Sequence, residues 1–312
     1  MTISTPPFLV FCRRAVSKIV RWLTGKPPTC AEAEYGWNLV LPKRLFSMAD
    51  RGLWESECRR LAFNARLADD EVLCRALGRY KMIVDARDEG LAPNLIADGF
   101  WEIWITAFIL RTVQPGMVCI DAGANIGYYT VMMAEQAKTT GRVIAAEPVP
   151  KTFHLLSKNT RMNDFMNNME ILNVAFGAEA GQTTLAVPRV DPKNASMFLN
   201  TVDVDPEHFD LIQATVTPID DLDLPRVDFV KIDVEGAEPL VWKGMQQTIA
   251  RSPDIQIVME VNAQRMADDG LLDEIAALFP LRAIDHYGKA VPTTIEKIKA
   301  DPHDVMLYLT RR

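Results

Sequence analysis

Asp121, Gly123, Asn125 and Gly127 share one stretch, VCIDAGANIGYYT (residues 118–130), in which an acid ends an apolar run and two glycines follow, four residues apart. A glycine turn lets a ligand approach the backbone closely, and a helix that starts there offers unpaired N–H groups. The spacing G-x-x-x-G lacks the G-x-G-x-x-G of a dinucleotide loop and the Lys-Ser/Thr of a P-loop, so a pyrophosphate is not the favoured ligand. Glu147 follows in RVIAAEP, 20 residues after Gly127. A carboxylate at such a strand end can accept hydrogen bonds from both hydroxyls of a ribose. A ribose with no phosphate suits S-adenosylmethionine. Glycine turns are common and Glu-Pro often just ends a strand, so it is the combination that carries the reading.

A second acidic block, VDFVKIDVEGAEPLVWKGM (residues 227–245), sets Asp233, Glu235 and Glu238 where an apolar run gives way to a helix. Buried acids need partners, a metal or a substrate. The helix dipole favours acids in a first turn, which is account enough for Glu238 but not for Asp233.

The elements that position these groups alternate from about residue 96: WEIWITAFILRTV reads as a helix, MVCIDA as a strand, IGYYTVMMAEQAK as a helix, and so on to the final pair LRAID and VMLYLT. GQTTLAVP and TVTPI read as extra strands that can pair. Buried strands flanked by helices require an α/β fold with a mostly parallel sheet covered on both faces, and ligands then bind at the C-terminal strand ends. Residues 45–80 read as mainly helical and KMIV as a short strand. Three parts are expected: a basic amphipathic segment over 1–30, a helical cap over 31–95 and the catalytic domain over 96–312.

The formal charge of −7 argues against a nucleic-acid partner, yet five basic residues precede the first acid, Glu32. In FLVFCRRAVSKIVRWL (residues 8–23) apolar and basic side chains take opposite faces of a helix. Such a helix can lie on an anionic membrane surface, although docking on its own domain is the plainer reading. Five scattered cysteines with no C-x-x-C suit free thiols in a reducing compartment. No apolar run approaches the ~20 residues of a membrane span, and the expected location is cytoplasmic, with peripheral contact at the inner membrane face through residues 8–23.

The runs DAGANIGYYT, AAEPVP, VDFVKIDVEGAEPLVWKG and IQIVMEVN, in this order over about residues 96–265, resemble the FkbM family of S-adenosylmethionine-dependent methyltransferases. RYKMIVDARDEG and GFWE fit the family's lead-in. The resemblance implies a class I methyltransferase fold: a Rossmann-like, seven-stranded sheet with an antiparallel last strand, here with an N-terminal helical extension. It implies methyl transfer, usually to a hydroxyl oxygen of a sugar, a glycan or a secondary metabolite. It assigns Asp121, Gly123, Asn125 and Gly127 to the cofactor's amino-acid end, Glu147 to its ribose and the segment Asn173–Ala175 to its adenine. Asp233 and Glu235 face the reacting centre.

A sugar hydroxyl is a weak nucleophile, so a positioned base or a metal should assist. Asp233 is the first candidate base. His286 is the histidine placed nearest the strand ends, although a lone histidine is more often a satisfied surface or core residue. A magnesium alternative uses the oxygen ligands Asp233, Glu260 and Asn262. An NAD(P)-dependent sugar oxidoreductase also wants a ribose-binding acid, but the third glycine and a Tyr-x-x-x-Lys pair are missing. A non-catalytic membrane-associated scaffold that keeps the cofactor fold is the remaining alternative.

Overall fold

VCIDA, RVIAA, FVKI and QIVMEV are apolar almost throughout and rich in β-branched residues, as strands buried on both faces must be. The structure is a computed structural model. It describes residue 46, residues 50–189, residue 205, residues 207–262 and residues 270–312. The chain divides into Met1–Val40 and Leu41–Arg312, and every described residue falls in the second part. The amphipathic segment 8–23 therefore lies outside the described residues.

The first helix, α1 (Arg51–Leu61), starts at Asp50, whose carboxylate accepts from the Gly52 and Leu53 N–H groups. The chain then departs from the helical expectation. Strands β1 (Asn64–Arg66), β2 (Glu71–Ala76) and β3 (Tyr80–Asp85) form an antiparallel sheet in that order. The reason is period-two burial: Val72, Cys74 and Ala76 point inward along β2. A tight turn closes β2 onto β3, with Leu77 and Gly78 at φ 52 and 65 and the Arg79 N–H donating to the Ala76 carbonyl. Helices α2 (Ala92–Ala97) and α3 (Ile103–Thr112) follow.

The main sheet then begins: β4 (Val118–Ala122), α4 (Tyr128–Ala137), β5 (Arg142–Ala146), α5 (Pro150–Met162) and β6 (Met169–Leu172). A side sheet of β7 (Ala175–Phe176), β8 (Gly181–Pro188) and β9 (Phe209–Thr217) comes next, with β8 and β9 antiparallel as their sequences suggest. The chain returns through β10 (Phe229–Ile232), α6 (Glu238–Lys243), α7 (Gln246–Arg251) and β11 (Gln256–Val261). It finishes with α8 (Leu271–Leu278), β12 (Arg282–Ile284), β13 (Ala290–Pro292), α9 (Ile295–Ala300) and β14 (Val305–Leu309).

The sheet order is β13-β12-β14-β11-β10-β4-β5-β6. Strands β6, β5, β4, β10 and β11 are parallel, and β14 runs antiparallel beside β11. This is the expected class I arrangement with one strand more than seven. The addition, β13, is a three-residue edge strand ending in Pro292, too short to leave a periodic signal. The connections reverse direction between β4 and β10, which places the binding crevice at their C-terminal ends. Among the described residues no helix is long and apolar enough to cross a membrane.

The helix expected to follow the acids of VDFVKIDVEGAEPLVWKGM is two, divided at Gly244. A Cβ there would lie 1.9 Å from the Gly177 carbonyl oxygen, so the break is where two loops press together. Gly244→Ala is accordingly expected to lower the unfolding free energy by about 1–3 kcal/mol. A urea midpoint equal to that of the parent protein would contradict this packing.

Candidate active site

The C-terminal ends of β4, β5, β10 and β11 open into a cavity of about 350 Å³. Its floor is the glycine loop. Gly123 has φ 76, and a Cβ on it would sit 1.9 Å from the Asp233 carbonyl oxygen, so only glycine lets the β4 exit lie against the β10 exit. Asn125, also left-handed at φ 51, donates its N–H to Glu147 Oε2 at 3.0 Å. Gly127 caps α4 with φ 90 but does not line the cavity; a Cβ there would meet the Leu156 side chain at 2.7 Å.

Glu147 ends β5 and is 6% exposed. Its Oε1 accepts from the Val149 N–H at 2.9 Å, and Asn125 occupies one site on the other oxygen. Burial lifts its pKa to about 7, while these two backbone N–H groups pull the other way. Apolar Val174, Ala175, Phe176 and Leu185 line the same cavity. Asn173 does not: its Nδ2 donates to the Glu147 and Pro148 carbonyls and holds that bend from outside.

Asp121 departs from its expected role as well. It is fully buried beneath the loop, where Oδ2 accepts from Thr130 Oγ1 at 2.6 Å and Oδ1 lies 3.9 Å from Lys231 Nζ without a hydrogen bond. Burial lifts its pKa to about 6 against the pull of Lys231 and Thr130. It acts as a strut under the loop and does not line the cavity.

Opposite Glu147 the cavity is acidic. Among the described residues, carboxylate oxygens of Asp233, Glu235 and Glu260 lie within 4.8 Å of one another. Lys231, 1% exposed, donates to Asp233 Oδ2 at 2.9 Å, and its Nζ lies 5.1 Å from the centre of the Tyr129 ring. Burial opposes its ammonium, but Asp233 and Asp121 outweigh burial and raise its pKa. Glu238 holds the intervening turn, accepting from the Val234 and Gly236 N–H groups. Burial, reinforced by Asp233 and Glu235, raises the pKa of Glu260.

Two expected residues stand elsewhere. His286 is exposed, packed edge-on against Trp104 at 5.5 Å on a shallow surface beside Asp50 and Arg51, and plays no part in the cavity. Asn262 lies one residue past the end of β11 and donates to Asp304 Oδ1 at 2.7 Å, so Glu235 takes its place beside Asp233 and Glu260. Lys231 and Glu102 are among the cavity residues that the sequence reading did not single out. Lys231 had a signal, a charge inside the apolar run VDFVKI. Glu102 had only its place at the end of GFWE: it holds φ 35 at the head of α3, and Tyr129 donates to its Oε2 at 2.8 Å.

Because the folded-state pKa of Glu147 is raised from 4.5 to about 7, protonation favours the fold. Its contribution is whole below the unfolded value and is lost as pH rises through about 7. Cofactor-free protein is thus expected to gain thermal stability on acidification from about pH 8 to about pH 5.5, and Glu147→Gln to flatten that gain. Identical pH slopes of Tm in the two proteins would count against it.

The family model described as the methyltransferase FkbM domain matches residues 121–310. Methyltransferase sdnD of Sordaria araneosa is 25% identical over 194 residues, 53% of this chain and 73% of that protein. Methyltransferase 1 of Beauveria bassiana is 27% identical over 144 residues, 40% of this chain and 57% of that protein. A crystal structure of an FkbM methyltransferase from Methylobacillus flagellatus superposes with a TM-score of 0.41 at 20% identity, covering 62% of this chain and 43% of that one. With more than half of its length matched by the family model, the chain belongs to the FkbM family of S-adenosylmethionine-dependent methyltransferases.

Proposed function

We propose that the chain transfers a methyl group from S-adenosylmethionine to a hydroxyl oxygen of a sugar, a glycan or glycolipid, or a secondary metabolite. The observation that carries this reading is Asp233, a carboxylate on the cavity wall with one oxygen already fixed by Lys231. The residues present suit the donor. Glu147 keeps lone pairs for ribose hydroxyls after its two backbone bonds. The Val174–Phe176 wall is apolar enough for an adenine, and the acids opposite complement a sulfonium and an ammonium.

When bound, S-adenosylmethionine supplies a methyl group on positively charged sulfur, which leaves as a neutral thioether. The chain's task is then to place the acceptor oxygen and take its proton. Asp233 accepts the proton as the oxygen–carbon bond forms and the sulfur–carbon bond breaks, then releases it to water. Lys231 stops the carboxylate from rotating away. Glu102, fixed by Tyr129, and Trp101 border the acceptor side of the cavity. The proximity of Asp233, Glu235 and Glu260 favours one further reading, a hard divalent cation held by oxygen ligands that would lower the pKa of the acceptor hydroxyl.

Titration calorimetry with S-adenosylhomocysteine is expected to show binding that Glu147→Ala weakens by roughly tenfold or more, as loss of a charged hydrogen-bond partner does. Heat with NADH but none with S-adenosylhomocysteine would restore an oxidoreductase, and binding without turnover on any hydroxyl fraction would leave a scaffold. Asp233→Asn is expected to lower kcat by about 10²–10⁴ while donor binding persists. Activity that survives exhaustive EDTA treatment removes the cation. For residues 8–23 we propose contact with anionic lipid, expected as vesicle co-sedimentation lost on deleting residues 1–25; unchanged co-sedimentation refutes it.

A further inference from the structure

Strand β3 is the edge of the N-terminal sheet, and one face of α5 completes it. Asn163 Oδ1 accepts from the Lys81 N–H at 3.0 Å, and its Nδ2 donates to the Lys81 carbonyl at 2.7 Å. Asn159 repeats the pattern at Ile83, accepting at 2.6 Å and donating at 3.0 Å. The geometry explains the match. Four residues of helix rise about 6 Å, two residues of strand about 6.7 Å, so amides one turn apart can meet successive outward-facing peptide groups of a strand edge. Ion pairs extend the seam at its Asp85 end, Lys151 with Asp85 and Lys158 with Glu71, the cross-strand partner of Asp85.

The two asparagines differ in one bond. Asn163 gives its second contact to its own helix, the Asn159 carbonyl. Asn159 is fully buried and sends its remaining N–H to the Ile126 carbonyl at 2.9 Å, between Asn125 and Gly127 in the glycine loop. One planar amide thereby fixes three backbone groups of two separate segments. One is the floor of the cavity. The other is the strand whose continuation supplies the Leu91, Trp101 and Glu102 walls.

We infer that Asn159 is a positioning residue for methyl transfer: it sets the glycine loop, and with it the donor site, at a fixed distance from the wall that follows β3. The inference rests on reading this cavity as the donor site. Truncation leaves the Ile126 carbonyl buried without its partner, and the loop moves to recover one. Asn163 shares the edge-pairing but not the loop contact, so it serves as the matched control.

The test compares Asn159→Ala, the isosteric Asn159→Asp and Asn163→Ala by thermal melting, S-adenosylhomocysteine calorimetry and steady-state kinetics. Asn159→Asp retains the acceptor for the Ile83 N–H but loses both donated bonds, and it keeps the comparison open if the alanine variant does not fold. All three variants are expected to melt lower. The Asn159 variants should also bind S-adenosylhomocysteine on the order of tenfold more weakly and raise the donor KM more than the acceptor KM, whereas Asn163→Ala stays within about twofold of the parent. If all three lose affinity only in proportion to their loss of Tm, or the Asn159 variants keep parental affinity, Asn159 is an edge clasp and the inference fails. A parent protein that binds no S-adenosylhomocysteine overturns the donor-site reading as well, so the two failures are distinct.

Discussion

Lys231 carries a full positive charge inside an apolar sheet, and the arrangement of the site depends on how that charge is neutralised. Its Cα stands directly opposite that of Asp121 across the β10–β4 pair, and its Nζ hydrogen-bonds to Asp233 two residues further on. Removing either acid would leave an ammonium at 1% exposure without full compensation, a penalty of about 3–5 kcal/mol. Slipping β10 by one residue would turn Lys231 and Asp233 together to the other face, away from Asp121. The charge triplet therefore pins the register of the two strands between which the cavity opens. That register in turn presses the Asp233 carbonyl against Gly123, where no side chain fits.

From this constraint the remaining parts take their places. The glycine loop starts at a fixed height above β4, and Asn125 reaches Glu147 on the neighbouring strand with a backbone N–H. Glu238 secures the turn after Asp233 in the same manner, with its carboxylate on two backbone N–H groups. Acids used as acceptors for main-chain donors thus shape both loops; Glu147 faces the cavity as well, and Asp233, Glu235 and Glu260 line it with carboxylates of their own. Methyl transfer asks little more of a protein than this placement, since the donor group is already activated.

The parallel strands were legible because burial on both faces leaves a signature no helix shares, and Glu147 because a strand end fixes where an acid points. Residues 64–76 were misread because Arg66, Glu71 and Arg75 obscure an alternation carried only by Val72, Cys74 and Ala76. The break at Gly244 is set by Gly177, a contact that no local pattern encodes. Asn262 illustrates a different limit. Its spacing from Glu260 would put both on one face of a strand, but β11 has ended at Val261, and past that point parity ceases to direct a side chain. Asp121 was placed in the right motif and given the wrong neighbour, because sequence does not reveal whether an acid faces the ligand above a loop or the lysine below it.

Three cavity residues, Glu102, Asn125 and Glu235, hold left-handed backbone at φ 35, 51 and 54 although none is glycine. Such conformations cost about 1–3 kcal/mol each unless the surroundings enforce them. Replacement by glycine at Glu102 or Glu235 would relax the main chain and erase a carboxylate in one step, whereas at Asn125 the backbone N–H that reaches Glu147 would remain. Breeding this enzyme for heat tolerance alone should therefore drift toward a sturdier molecule with a blank rim, and only a concurrent demand for turnover would hold those corners in place.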